Sequence, residues 1–356
     1  MERNSRPNTL YLVVPCYNEE EALPHSAQVM REKLNRLMQE GKVSAQSKIL
    51  LVNDGSRDKT WKLIHDLCDT DPVFSGLSFS RNYGHQSAIL AGMMAAGQHA
   101  DIAVTIDADL QQDIGALDQF LEKYQAGCEI VYGIRNDRNT DGFFKKMTAN
   151  AFYGLMHLLG CKVMSNHADY RLLSKKALDA LAEYKEVNLF LRGLIPTMGF
   201  QSDVVYFDVK EREAGTSKYT FRKMMTLATD GITSMSTRPI QLITLLGFLV
   251  SVFSFIMIIY CVWDWFYGRN VPGYTTSLVV SLLMGGITIF SLGVVGEYVG
   301  KIYLEAKARP RYIVESFIWK EGNTENDIDS SEDSEKNEYS DDLQNTEKEE
   351  KSHASG

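Results

Sequence analysis

The chain has 356 residues, 44% hydrophobic and 23% charged, which leaves room for one globular domain of about two hundred residues plus further segments. Its formal charge of −9 comes from one end, because residues 321–356 hold thirteen Asp and Glu against three Lys and everything before them sums to +1. The chain has no basic surplus, so no nucleic-acid partner is expected, and the acidic end, nearly devoid of large apolar residues, is expected to stay disordered.

In chain order, residues 10–14, 48–52, 77–80, 102–106 and 129–132 read as short strands. Residues 19–40, 58–68, 86–97 and 114–124 between them carry apolar positions at helical spacing. Such alternation predicts a mostly parallel sheet with helices on both faces, and ligands then bind beyond the carboxyl ends of the strands. Those ends carry Pro15-Cys16-Tyr17-Asn18-Glu19, Asn53-Asp54-Gly55-Ser56, Arg81-Asn82 and Asp107-Ala108-Asp109. Helical patterns at 143–159 and 174–184 and a strand at 204–209 follow. The run at 10–14 is too short for a signal-peptide core and ends in Pro15, so the domain is expected to remain where it is made. Cys16, Cys68, Cys128, Cys161 and Cys261 show no CxxC or CxxH spacing, so neither a zinc site nor a disulfide frame is expected.

Residues 221–236 bring Phe221, Met224, Met225, Leu227, Ala228 and Ile232 to three- and four-residue intervals, the pattern of a helix lying on a membrane surface. Apolar runs at 240–263 and 277–296 are each long enough to cross a hydrocarbon core of about 30 Å. Arg222, Lys223 and Arg238 precede the first run, and Lys301, Lys307, Arg309 and Arg311 follow the second. This bias predicts a cell-membrane protein with both termini and the globular domain in the cytoplasm. Glu297, near the end of the second run, reads as a solvated or Lys301-paired carboxylate rather than part of a transport path.

Asp107 and Asp109 stand two apart after an apolar strand, so an extended backbone would turn both carboxylates the same way. Paired hard oxygen donors suit Mg²⁺ or Mn²⁺, with Gln111 as a possible third ligand. After the second strand, Gly55 permits a tight turn, Ser56 or Asp58 could cap the next helix, and Asp54 could accept an imide N–H from a nucleotide base. No GxxxxGK[ST] or GxGxxG sequence stands at a strand-to-helix turn, so no P-loop or dinucleotide fingerprint is present.

The series Val14-Pro15-Cys16-Tyr17-Asn18-Glu19, Val52-Asn53-Asp54-Gly55-Ser56-Arg57-Asp58, Ser80-Arg81-Asn82-Tyr83-Gly84 and Asp107-Ala108-Asp109-Leu110-Gln111 resembles the successive motifs of family-two glycosyltransferases with the A-type fold. Tyr132-Gly133-Ile134-Arg135, Ala168-Asp169-Tyr170-Arg171-Leu172-Leu173, Phe190-Leu191-Arg192-Gly193 and Arg212-Glu213-Ala214-Gly215-Thr216-Ser217-Lys218-Tyr219 are similar to the polyprenyl-phosphate branch, which includes bactoprenol glucosyltransferases and dolichyl-phosphate mannose synthase. The resemblance covers about residues 9–312. Asn53 stands where many members have Asp, and Gln112-Asp113-Ile114 replaces the usual Asp-Pro-Pro.

The resemblance implies an α/β A-type nucleotide-diphospho-sugar transferase domain at 1–219, an amphipathic helix at 220–238, a two-helix transmembrane hairpin at 239–300, a juxtamembrane segment at 301–320 and the acidic tail. Pro15, Tyr17, Glu19, Asp54, Ser56 and Asp107 would hold the nucleotide, and Asp107, Asp109 and Gln111 the divalent metal. Asp109, Asp169 and Arg135 would serve catalysis, while Arg135, Arg212, Ser217 and Lys218 would meet phosphates of donor or lipid. The implied reaction moves a hexose, glucose from UDP-glucose by first expectation, onto undecaprenyl or another polyprenyl phosphate with inversion. A homo-oligomer and a flippase acting on the product, which would decorate a surface glycan, are further expectations. Two rivals stand beside it: a processive polysaccharide synthase, and a non-catalytic scaffold that binds nucleotide sugars. The first lacks a Gln-x-x-Arg-Trp sequence around Trp61, Trp263, Trp265 or Trp319.

Overall fold

The apolar runs near residues 10 and 50 form adjacent parallel strands, β1 (Leu10–Cys16) and β2 (Lys48–Asn53), buried along their whole length. Covered on both faces, they read in sequence as unbroken apolar stretches rather than as an alternation. β3 (Phe74–Phe79) extends the sheet beyond β2, and β4 (Ile102–Thr105) lies on the other side of β1, both parallel to their neighbours. Helices α1 (Leu23–Gln39), α2 (Thr60–Thr70) and α3 (His85–Gly97) make the crossovers. A 3-10 turn at Ile114–Ala116 and α4 (Leu117–Gln125) lead into β5 (Ile130–Arg135). The computed structural model describes residues 6–136, 167–208, 236–266 and 274–320.

Beyond β5 come β6 (His167–Ser174), α5 (Lys175–Ala182), α6 (Leu191–Thr197) and β7 (Ser202–Phe207). Two apolar helices, α7 (Arg238–Phe266) and α8 (Tyr274–Lys307), precede a last strand, β8 (Val314–Ile318). The strands form one sheet in the order β7-β5-β6-β4-β1-β2-β3-β8, with β6 antiparallel to β4 and β5, β8 antiparallel to β3, and the other pairs parallel. Alternate residues divide the core in two. Leu10, Leu12, Val14 and Cys16 of β1 pack with α1, α2 and α4, whereas Tyr11 and Val13 pack with α3, α5 and α6.

Several boundaries differ from the sequence reading for local reasons. β3 starts at Phe74 rather than at residue 77, because Gly76, which looks like a break, lets α2 approach so closely that a Cβ there would stand 2.7 Å from Ile64 Cγ2. α1 starts at Leu23 instead of residue 19, since the backbone of Glu19 and Glu20 is bonded to the β2–α2 loop. The 114–124 helix is a 3-10 turn followed by α4, and the strand expected at 204–209 runs over Ser202–Phe207. β6, α6 and β8 were not anticipated. The helix expected at 143–159, all of that expected at 221–236 except its last residue, and the acidic tail lie outside the described residues.

α7 and α8 carry two segments apolar and long enough to cross a membrane, Arg238–Met257 and Leu283–Lys307, with Phe248, Phe253, Phe255, Ile289 and Phe290 exposed along them. The Tyr298 hydroxyl donates to the Ser236 carbonyl at 2.6 Å, tying the start of α7 to the later part of α8. With 34 residues, α8 is roughly 50 Å long at about 1.5 Å per residue. That exceeds a hydrocarbon core, so α8 has turns to spare.

Candidate active site

The sheet order reverses between β1 and β4, and ligands of open α/β sheets bind at such a point, beyond the strand ends. Pro15 fits there despite lacking an N–H. The Val13 carbonyl, facing β4, accepts the Ile106 N–H at 3.0 Å, and two residues later Pro15 faces the same side where β4 has already ended. Tyr17 follows, 42% exposed.

The β1–α1 and β2–α2 loops are stitched together. Asn18, at φ 55°, donates its N–H to Ser56 Oγ at 3.0 Å, and its Oδ1 accepts the Arg57 N–H at 2.9 Å. Glu19 N–H donates to Thr60 Oγ1 at 2.9 Å, and Glu20 N–H to Asp58 Oδ2 at 3.2 Å. Ser56 therefore braces the neighbouring loop instead of capping α2, whereas Asp58 Oδ1 accepts the N–H of Thr60, the first residue of α2. Asp54 is buried and accepts the backbone N–H of Tyr83 at 2.7 Å and of Gly84 at 3.0 Å. Burial pushes its pKa up, against those two donors.

β4 ends at Thr105, and Ala108–Asp109 is a turn, with Leu110 at φ 51°. The extended-backbone argument for a shared face of Asp107 and Asp109 thus fails, yet the turn keeps Asp109 close enough for its charge to act on Asp107. Asp109 Oδ1 accepts the Gln111 N–H at 3.1 Å. The departure at Gln112-Asp113 has a purpose: the buried Gln112 amide clamps Asp107, accepting its N–H at 3.0 Å and donating to Oδ2 at 2.6 Å, while Asp113 caps the 3-10 turn.

In the β4–β6 pair Thr105 faces Arg171, and continuing that register brings Asp107 opposite Asp169. The half-exposed His85 imidazole, at the first residue of α3, points between them, with Nε2 3.7 Å from Asp107 Oδ1 and 3.5 Å from Asp169 Oδ2. Arg171 Nη2 donates to Asp169 Oδ1 at 2.5 Å, and Arg192 on α6 adds Nε to Oδ1 at 3.1 Å and Nη2 to Oδ2 at 2.8 Å. Among the described residues, Arg171 Nε and Nη1, fully buried, meet no hydrogen-bond acceptor. Burial alone would raise the pKa of Asp169, but His85, Arg171 and Arg192 hold it well below the usual carboxylate range. Asp107 goes the other way: burial raises it and Asp169 and Asp109 add to the rise, opposed by His85 and by Arg135 at the end of β5.

His85, Arg171 and Arg192 had no role in the sequence reading. The spacing of Asp169 and Arg171, two apart, puts them on one face only if they lie on a strand, and the sequence reading placed no strand there. Arg212, Ser217 and Lys218 lie outside the described residues.

Among the described residues no group of three or more His, Cys, Asp and Glu is arranged to hold a metal. Asp107 and Asp109 nonetheless fit Mg²⁺ or Mn²⁺, because such ions are commonly held by one or two carboxylates with water and substrate phosphates completing the shell. A cation there would also relieve the crowding of negative charge that raises Asp107.

Residues 11–182 match the family model "Glycosyl transferase family 2", and 238–302 match "GtrB C-terminal hairpin". Over 309 residues the chain is 40% identical to the bactoprenol glucosyl transferase of Shigella phage SfX, covering 86% of this chain and 98% of that protein. The chain belongs to glycosyltransferase family 2. It is also 43% identical over 319 residues to the uncharacterized glycosyltransferase YkoT of Bacillus subtilis, covering 90% and 94% of the two chains. Among solved structures it is similar to the Mycobacterium tuberculosis glucosyl-3-phosphoglycerate synthase in complex with Mn²⁺, UDP-glucose and phosphoglyceric acid, with a TM-score of 0.41, 16% identity and coverage of 65% and 79%. Mannosyltransferase PcManGT from Pyrobaculum calidifontis, in complex with GDP-Man and Mn²⁺, gives 0.39, 13%, 85% and 87%. This family 2 glycosyltransferase thus combines an A-type α/β domain, its sheet mostly parallel, with a hairpin of two apolar helices.

Proposed function

We propose that this glycosyltransferase moves glucose from UDP-glucose onto a polyprenyl phosphate, giving a lipid-linked monosaccharide for a surface glycan. The observation that carries the reading is the join between reaction centre and hairpin. Glu305 of α8 bonds the loop that leads to Arg192, and Arg192 grips Asp169. Relatives named for bactoprenol glucosyl transfer, similar along both domain and hairpin, support the same acceptor.

In the proposed reaction, an oxygen of the lipid phosphate bonds to sugar C1 as the bond from C1 to the donor diphosphate breaks, and a single displacement inverts the anomeric centre. The attacking oxygen is already ionised near neutral pH, so no strong general base is needed. Asp169, held ionised by its cationic neighbours, suits hydrogen bonding to sugar hydroxyls and stabilising positive charge at C1. Tyr17, with Pro15, Glu19 and Asp54, lines the side where the nucleotide would sit, and Arg135 faces its phosphates. A bound Mg²⁺ or Mn²⁺ on Asp107 and Asp109, with Gln111, would supply charge neutralisation to the departing diphosphate. Arg212, Ser217 and Lys218, which precede the hairpin in sequence, would receive the acceptor phosphate. Both termini then face the cytoplasm, and a homo-oligomer and a flippase for the product complete the proposal.

Purified full-length protein with Mn²⁺ or Mg²⁺, a panel of nucleotide sugars and undecaprenyl phosphate tests this. A lipid-linked single sugar, formed best from UDP-glucose, is the expected product. Polymer, or no product from any donor, would overturn the reading.

A further inference from the structure

The last turns of α8 run against the loop between α5 and α6. There the Glu305 carboxylate gathers three N–H groups: Oε2 accepts from Val187 N at 2.9 Å, and Oε1 from Asn188 N at 2.7 Å and Asn188 Nδ2 at 2.8 Å. The Lys301 carbonyl receives a further contact from Asn188 Nδ2 at 3.4 Å, and Arg311, just past the helix, donates Nη1 to the Tyr184 carbonyl at 2.9 Å. From the other side, Gln86 of α3 accepts the N–H of Leu191 at 2.9 Å. Leu191 opens α6, and the next residue, Arg192, makes the two-pronged contact with Asp169.

Residues 184–190 belong to no helix or strand, so these side-chain bonds do much to set their path. Hydrogen bonds to an ionised carboxylate are about twice as strong as neutral ones, and a planar guanidinium must arrive in the right orientation to span both oxygens of its partner. We propose that Glu305 is a positioning residue: by fixing Val187 and Asn188 from the membrane hairpin, it sets how Arg192 reaches Asp169. The inference deepens the proposed function and rests on Asp169 lying at its reaction centre. It gives the hairpin a part in catalysis besides anchoring.

The test compares Glu305→Ala, Arg192→Ala and the double variant as purified full-length protein. Glu305→Ala should lower kcat for lipid transfer about tenfold or more, the scale of a small misplacement at a reacting centre, with KM for UDP-glucose little changed. Because Glu305 acts through Arg192, the double variant should be no slower than Arg192→Ala alone. Losses that multiply overturn the proposal. Hydrogen–deuterium exchange supplies a readout independent of substrate. The peptide spanning 185–193 should exchange faster in Glu305→Ala, and unchanged exchange there overturns the proposal whatever the enzyme transfers. If the wild-type chain makes no glycolipid, the assigned substrates fall and the exchange result alone decides. Should Glu305→Ala fail to fold, Glu305→Gln, which keeps one acceptor oxygen, replaces it in both measurements.

Discussion

Arg192 holds Asp169 as a fork, Nε 3.1 Å from Oδ1 and Nη2 2.8 Å from Oδ2. With Arg171 on the same carboxylate, Asp169 stays ionised, which favours a group that orients and stabilises over one that takes a proton. A lysine cannot span both oxygens. Arg192→Lys should therefore retain part of the transfer rate, and Arg192→Ala should lose about a hundredfold. Steady-state kinetics of both variants check this ordering; equal loss in the two would mean that a positive charge without the fork contributes nothing, and no loss in either would mean that the contact is irrelevant.

A second prediction concerns the acidic turn after β4. Asp109→Ala should abolish transfer while leaving the fold and membrane insertion intact, because Asp109 is part-exposed and accepts the Gln111 N–H within its own turn. Chelation of divalent ions should silence the wild type, with Mn²⁺ or Mg²⁺ restoring it. An Asp109→Ala enzyme of normal rate removes the metal assignment.

Gly55 carries the third. It sits at φ +61°, and a Cβ there would stand 2.2 Å from the Arg81 carbonyl carbon and 2.5 Å from Asn82 N. Both the backbone conformation and the space exclude a side chain. Gly55→Ala should lower stability by about 1–3 kcal/mol, the usual scale of overpacking, and raise KM for the donor, because it pushes apart the loops that carry Asp54 and Arg81. Thermal melts and donor titration measure the two effects.

The carboxylates at 107 and 109 were legible because they follow a short, mostly apolar strand. The parallel half of the sheet was legible for the same reason, its strands being buried on both faces. β6 was not, since Asp169 and Arg171 stud it with charge, and only the folded pairing explains how such a strand can be buried. His85 and Arg192 are far from Asp169 in sequence and stand alone there, so no local spacing joins them to it. β8 lies beyond the apolar hairpin, where nothing in its five residues says that the chain returns to the sheet edge beside β3.

Away from the site, Asp118 on α4 meets Lys33 and, at 2.6 Å, Lys42. Burial would raise its pKa, but the two ammonium groups prevail and hold it below the ordinary carboxylate value. A folded-state pKa below the unfolded one means stability that is present above the unfolded pKa of about 4 and is lost as pH falls through the folded value. Asp118→Asn should therefore melt lower than wild type at pH 7, and the gap should close in acid. A gap independent of pH would show that the pair contributes nothing by charge.

β8 supplies the last prediction. It pairs antiparallel with β3, and the Trp319 ring beyond it packs against His99 at 4.1 Å and against Tyr11 and Phe317 at 5.5 Å, with Lys48 Nζ 5.5 Å from its centroid. Tyr312, just before the strand, stacks on Phe79 at 5.1 Å, and Phe79 meets Tyr83 edge-on at 5.6 Å, the residue whose N–H holds Asp54. Without this segment β3 becomes an open edge, available for pairing with other chains. Truncation after Lys307 should therefore give a protein that inserts but aggregates. Trp319→Ala, which keeps the ladder, should lose less than the roughly 3–5 kcal/mol of a fully buried aromatic, because Trp319 is only partly buried, and remain monodisperse. Size-exclusion profiles and melts of the two variants separate the contribution of the strand from that of the ring; a monodisperse, fully stable truncation would mean that the return to the sheet is dispensable.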